Sequence, residues 1–142
     1  YLAEKSKCNN SDCKTISKSE KDLKFIQNNG FCINCTVDRE HDLRTAGVFE
    51  EYQNYKVWTR MIVFGKTKLE ELKQSLLDVR PFYEYVNENG STERWDLPNS
   101  VEDTKKEIQD MINTGEGEIT ELESKRNLAF DVLKEKNYEH YI

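Results

Sequence analysis

One apolar seam constrains the fold of this chain more than any other feature. Between Val48 and Val79, positions spaced alternately three and four residues apart are almost all apolar or aromatic. The members of this seam are Val48, Glu51, Tyr55, Trp58, Ile62, Gly65, Leu69, Leu72, Leu76 and Val79. Such spacing over about thirty residues predicts one long helix packed lengthwise against others. Pro81 marks its end, and Gly65 indicates a close helix crossing or a mild bend.

A second apolar stripe follows Pro98 and predicts a partner helix of similar length. Its members, each three, four or seven residues after the one before, are Val101, Ile108, Ile112, Ile119, Leu122, Ala129 and Leu133. Two glycines within residues 114–117 predict a break or kink, so residues 98–142 form one helix or two. We therefore predict an all-α protein, a single domain of residues 1–142, in which long antiparallel helices at 41–80 and 98–142 form a bundle.

The connection formed by residues 81–97 is longer than bundle loops usually are. Its Asn89-Gly90 pair is a strong tight-turn signal, which predicts a small β-hairpin or an ordered loop. Four aromatic residues of the types that anchor interfaces are candidates for partner binding. They are Phe82, Tyr83, Tyr85 and Trp95. The alternative is that these rings close the end of the bundle.

Residues 1–40 are predicted to hold one short helix, from about Ser19 to Asn28. Ser19 and Asp22 match a capping box at its start, and Gly30 supplies a left-handed stop. Two close pairs of cysteines flank this helix. The pairs are Cys8 with Cys13, and Cys32 with Cys35.

An even number of cysteines in a processed chain predicts two disulfides that staple this segment. Three connectivities are possible, and joining Cys8 to Cys35 and Cys13 to Cys32 is slightly favoured because it ties together the two flanks of the helix. The rival is zinc, since this spacing is close to that of four-thiolate sites. Disulfides are preferred because Cys35 lies inside a glycosylation sequon and no nucleic-acid surface surrounds the cysteines.

A redox Cys-x-x-Cys needs a helix N-terminus that the sequence does not predict there. We therefore expect no metal and no cofactor.

Two further features favour export. The chain begins at Tyr1 rather than at Met, as expected for a mature chain after signal-peptide removal or for a domain of a longer protein. Three Asn-x-Ser/Thr sequons make Asn9, Asn34 and Asn89 candidate glycosylation sites. No apolar run approaches the roughly 20 residues that a membrane span needs. We therefore expect a secreted, extracellular protein.

Composition and motifs argue against nucleic-acid binding and against catalysis. A net charge of −6 opposes binding to a polyanion. Only two histidines are present, His41 and His140, and there is no phosphate-binding glycine loop, zincin motif or nucleophile elbow. We predict a non-enzymatic binding protein.

The cysteine-bearing segments at residues 8–13 and 30–35, in a four-cysteine helical chain, resemble those of the anophensin-like family of anopheline mosquito saliva. The resemblance covers most of the chain. It implies a secreted inhibitor of host defence, acting on the complement alternative-pathway convertase or on the kallikrein-kinin contact system. Its partners would be host plasma proteins, and no residue is assigned to a site by the resemblance.

Two other functions fit the same helical pattern. A carrier of small apolar ligands would line a channel with Tyr55, Trp58, Met61 and Phe64, and would show a pocket of about 300 Å³ or more. A self-associating structural module would use surplus seam surface to pair two chains.

Overall fold

A computed structural model describes residues 7–14 and 19–142 of the chain. The elements are α1 (Glu20–Asn29), α2 (Ile33–Thr45), α3 (Phe49–Leu77), β1 (Phe82–Val86), β2 (Thr92–Asp96), α4 (Val101–Glu135) and a final 3₁₀ turn (Glu139–Tyr141). The predicted fold class is confirmed: the chain is mostly helical, its two long helices pack together, and the only sheet in the described ranges is a small hairpin.

The chain divides into two compact units, and the single domain over residues 1–142 stays a prediction. The first unit contains residues up to Asn54 together with Ala129–Ile142, and the second contains Tyr55–Leu128. Helices α3 and α4 each contribute residues to both units.

Helix α1, in the first unit, begins and ends as its sequence predicts. The Asp22 N–H donates to the Ser19 Oγ at 3.2 Å, and the Ser19 N–H donates to the Asp22 carboxylate at 3.1 Å, which completes the capping box. Gly30 ends the helix at φ +80°, where its N–H donates to the Ile26 carbonyl at 2.7 Å.

The predicted helix at 41–80 is instead divided between two helices. Gly47 adopts φ +75°, a left-handed turn that ends α2, and the Val48 N–H returns to the Leu43 carbonyl at 3.0 Å. Helix α3 then begins at Phe49. Helix α2 is not predicted by the sequence pattern, because few apolar residues mark it, and only Cys35 and Leu43 are buried.

In the second unit, α3 and α4 pack as an antiparallel pair. Their shared core consists of Ile62, Leu69, Ile112 and Ile119, surrounded by Leu72, Leu76, Ile108 and Leu122. Ion pairs join the two helices beside this core, from Lys66 to Glu123 at 2.8 Å and from Lys73 to Glu116 at 3.1 Å. Every member of both predicted stripes is buried or half-buried, so the seams are confirmed.

The predicted break in residues 114–117 is wrong, because α4 runs without interruption through both glycines. Close packing explains Gly115: a Cβ there would lie 2.8 Å from the Leu69 Cδ2 atom. A Cβ at Gly65 would lie 3.2 Å from the Ile119 Cδ1 atom, which confirms the close crossing predicted at that position. Both glycines let a side chain of one helix rest against the backbone of the other.

The predicted β-hairpin is also confirmed. Strands β1 and β2 pair antiparallel, with Phe82 opposite Asp96 and Val86 opposite Thr92. Gly90 adopts φ +83° in the turn, as its position after Asn89 predicts.

Candidate metal centre

The four cysteines converge on one point in the first unit. Their Sγ atoms all lie within 4.8 Å of one another, and those of Cys13 and Cys32 are 3.7 Å apart. A disulfide requires about 2.05 Å between its sulfurs, and no two of these four sulfurs, all within the described ranges, lie at bonding distance. The structure therefore does not form the expected disulfides and instead gathers all four sulfurs together, as the zinc alternative requires.

One loop and one helix N-terminus bring these sulfurs together. Cys32 is the N-cap residue of α2 and Cys35 lies in its first turn, so both approach from a helix N-terminus, which favours negative charge. The loop that carries Cys8 and Cys13 is held against the end of α1 by the Asn9 N–H, which donates to the Gly30 carbonyl at 2.8 Å. The setting that the sequence did not predict, a Cys-x-x-Cys at a helix N-terminus, is thus present.

Hydrogen-bond donors point at two of the sulfurs. The Cys32 N–H donates to the Cys8 Sγ at 3.3 Å, and the Asn10 side-chain amide donates to the Cys35 Sγ at 3.3 Å. Donors of this kind stabilise metal-bound thiolates. Cys32 and Cys35 are buried together with Ile26, whereas Cys8 and Asn10 are half-buried, so these interactions are partly shielded from water.

The Cys35 thiol lacks the lowered pKa of a redox-active cysteine. Its pKa is raised to about 12, chiefly by burial and less by hydrogen bonds with Cys32, Cys13 and Cys8, while the hydrogen bond from the Asn10 amide acts to lower it. A reactive Cys-x-x-Cys has a lowered thiol pKa, so the raised pKa of Cys35 argues against a redox role for this pair. A divalent cation among the sulfurs favours the thiolate form.

The arrangement fits a tetrahedral zinc ion. A Zn–S distance of about 2.3 Å places the sulfurs of such a site about 3.8 Å apart, close to the 3.7 Å between Cys13 and Cys32. Sulfur ligands select zinc over magnesium and calcium, which prefer oxygen. Because four protein ligands would leave no position open for water or substrate, the site has the character of a structural centre.

The four aromatic candidates lie on the β-hairpin of the second unit, and all are exposed. The Trp95 Nε1–H donates to the Tyr85 hydroxyl at 3.0 Å, and that hydroxyl donates to the Glu93 carboxylate. The Tyr83 hydroxyl donates to the Asp78 carbonyl at 2.9 Å, which ties the hairpin to the end of α3. The rings therefore lie on a solvent-facing hairpin and do not close the end of a helical core.

A separate groove of about 610 Å³ runs between α3 and α4 in the second unit. Its rims carry exposed apolar side chains, Met61 and Phe64 from α3 and Met111 from α4. Two residues of the predicted carrier channel therefore lie in the groove, whereas Tyr55 and Trp58 do not line it.

The candidate glycosylation residues Asn9, Asn34 and Asn89 are all exposed. Asn34 lies in the first turn of α2, directly before Cys35. His140 stacks within the C-terminal turn, against Tyr138 and Tyr141.

Comparisons with protein-family models, with curated proteins and with solved structures found no match to this chain. The resemblance to a salivary family and the inhibitor function therefore stay predictions. Across residues 7–14 and 19–142, no helix is both long and apolar enough to cross a membrane.

Proposed function

We propose that this protein is a non-enzymatic, zinc-binding helical module. One zinc ion bound by Cys8, Cys13, Cys32 and Cys35 fixes the cysteine-bearing segment of the first unit, and the protein acts through surfaces presented by its helices. The observation that carries this proposal is the convergence of four sulfurs within 4.8 Å.

Among its described residues, the apolar cluster of this segment is small. Beside the cysteines themselves, the cluster contains the buried Ile26 and the partly buried Phe31. Fully burying an aliphatic or aromatic side chain contributes about 1.5–3 kcal/mol. Ordering the backbone of a single residue costs roughly 1–2 kcal/mol. Structural zinc sites contribute about 10–16 kcal/mol of binding free energy, which becomes folding free energy when the site forms only in the folded chain.

The closed ligand set supports a structural role over a catalytic one. Catalytic zinc sites use three protein ligands and keep one position for water. Here a fourth cysteine would fill that position, so the metal would organise the chain and leave no site for substrate.

The proposal differs from the secreted inhibitor predicted from the sequence. Zinc thiolates are typical of reducing compartments, whereas the same cysteines would pair as disulfides in an oxidising one. One set of measurements on the full chain distinguishes the two hypotheses.

The test measures metal content and thiol state on the same sample. The full chain, expressed with zinc and desalted, should contain one zinc per chain by elemental analysis, and its denatured mass should match four reduced cysteines. Cobalt should replace the zinc and show sulfur-to-metal charge-transfer absorption with the d–d bands of a tetrahedral site. A metal-free protein whose mass is lower by four hydrogens would overturn the proposal and support two disulfides.

Substitution assigns the metal to this site. Cys13→Ser should lose the zinc, whereas Ser11→Ala, a change at an exposed position in the same loop, should retain it. The cobalt spectrum of the unmodified chain keeps the test decisive if Cys13→Ser fails to fold.

A further inference from the structure

We infer that the groove between α3 and α4 is the interface of a homodimer, in which the helical pairs of two chains form an antiparallel four-helix bundle. The occupant of the groove is a second copy of this chain. The inference concerns the second unit alone and does not depend on the metal site.

Helix α3 carries a second apolar stripe. Met61 and Phe64 line the groove, Val57 lies about one helical turn before Met61, and all three side chains are exposed. The buried face of the same helix is already filled by Ile62 and Leu69, which pack against α4. A soluble two-helix layer with apolar residues on a further face commonly buries that face against another layer.

The exposed face of the α3–α4 pair is close in area to a standard protein interface. With a rise of about 1.5 Å per residue, the part of α3 from Tyr55 to Leu77 is about 35 Å long, and two adjacent helices are about 20 Å wide. The face therefore measures roughly 700 Å², near the ~800 Å² per partner that a standard interface buries. The groove is also open along one side, whereas sites for small ligands enclose most of the ligand surface.

The two rims of the groove carry opposite charges. The α3 rim carries Lys68, and the α4 rim carries Asp110 and Glu118. Leu69 contacts Gly115 across the helix pair. Along the helix axes, Lys68 therefore lies between Asp110 and Glu118.

A two-fold axis parallel to the helices makes this charge pairing occur twice in the interface. It places α3 of one chain over α4 of the other, so each Lys68 faces the Asp110 and Glu118 of the second copy. The interface is then self-complementary, as two-fold symmetry requires. Each helix would have only antiparallel neighbours, which suits the helix dipoles.

Sedimentation equilibrium of the zinc-loaded full chain tests the inference. The expected mass is twice the 16.8 kDa of the chain. Phe64→Glu, at a position that is 64% exposed, should weaken the dimer at least about 30-fold, as for an interface anchor. The matched control is Val63→Glu, which is 61% exposed and does not line the groove, and it should leave the dimer unchanged.

Charge reversal tests the orientation of the two copies. Lys68→Glu and Glu118→Lys should each weaken the dimer, and the double variant should restore it. Lys68 also pairs with Glu71 on its own helix at 2.8 Å, but loss of that pair alone would not be repaired by Glu118→Lys. The restoration therefore reports on the contact between chains.

Three outcomes would overturn the inference. The first is a monomer at every accessible concentration. The second is equal weakening by Val63→Glu and Phe64→Glu. The third is a monomer that retains a small apolar molecule in native mass spectra, which would assign the groove to a carrier function.

Discussion

The guanidinium carbon of Arg39 lies 4.1 Å from the centre of the Phe31 ring, and Phe31 directly precedes Cys32. The same guanidinium lies 4.2 Å from the Tyr141 ring and donates to the Tyr141 carbonyl at 2.8 Å. The Tyr141 hydroxyl in turn donates to the Asp42 carboxylate at 3.1 Å. Within the first unit, Arg39 thus connects the cysteine cluster to the C-terminal 3₁₀ turn.

Arg39→Lys should lower the free energy of unfolding by about 1–2 kcal/mol, because an ammonium group loses the planar stacking and part of the directed hydrogen bonding of a guanidinium. Urea denaturation measures this loss, and hydrogen exchange should show faster exchange in residues 138–142. Arg44→Lys is the matched control, since Arg44 stacks on Phe49 at 4.0 Å. Equal acceleration of the C-terminal amides in both variants would contradict the connection through Arg39.

Asn10→Asp should weaken zinc binding by about 10–100-fold, the usual effect of losing a group that hydrogen-bonds a metal ligand. The change removes the donor that points at the Cys35 Sγ. Asn9→Asp adds the same charge at the neighbouring position and keeps that donor, so it should change the affinity less. Competition with a chromophoric chelator measures both variants, and similar losses would show that charge alone is responsible.

Two glycines of α4 should respond in opposite ways to alanine. Gly117→Ala should raise the free energy of unfolding by up to about 1 kcal/mol, because alanine favours the helix and nothing lies within 4 Å of the new Cβ. Gly115→Ala should lower it by about 1–3 kcal/mol through overpacking, since its Cβ would lie 2.8 Å from Leu69. Thermal or urea unfolding of both variants provides the comparison, and stabilisation by Gly115→Ala would show that α3 and α4 separate easily.

The β-hairpin should loosen in acid. Hydrogen bonds from Tyr85, and then from Asn87, lower the pKa of the Glu93 carboxyl. A carboxyl with a lowered pKa in the folded state contributes stability above its unfolded pKa, and this contribution is lost as the pH falls through the folded value. The Trp95 indole N–H resonance should therefore shift with a midpoint below the ordinary glutamate range, and Glu93→Gln should abolish that shift. A midpoint at or above the ordinary range would be inconsistent with these hydrogen bonds.

The long helices were predictable because their periodicity reflects burial that each helix needs at every turn. The seam containing Ile62 and Leu69 has few alternatives to a lengthwise helical contact. The hairpin was predictable for a local reason, the left-handed conformation that Gly90 readily adopts after Asn89.

The errors arose where local preference and tertiary packing compete. The local sequence at Gly115 predicts a helix break, whereas in the folded protein this glycine lets the Leu69 side chain approach the backbone of α4. That contact forms only when both helices are packed together. Helix α2 lacks a strong apolar stripe, since only Cys35 and Leu43 among its residues are buried. The groove was predicted only in part, since Met111 on its α4 rim belongs to neither of the two apolar stripes.

The cysteine site shows how one sequence pattern can fit two kinds of chemistry. The spacing of Cys8, Cys13, Cys32 and Cys35 is compatible with both disulfides and zinc. The choice between them rested on the sequon at Cys35, on the lack of a nucleic-acid surface around the cysteines and on the first residue of the chain. None of these features describes the distances between sulfurs. Only the folded geometry, with all four sulfurs mutually close, favours a shared metal ion over two separate bonds.

The sulfur cluster also bears on the order in which the protein assembles during synthesis. All four sulfurs come from residues 8–35, so no ligand has to wait for the long helices to be translated. Closing such short loops carries a small entropic penalty, and a segment can begin to fold while the residues after it are still being synthesised. The four proposed zinc ligands are therefore all in place before α3 and α4 are made.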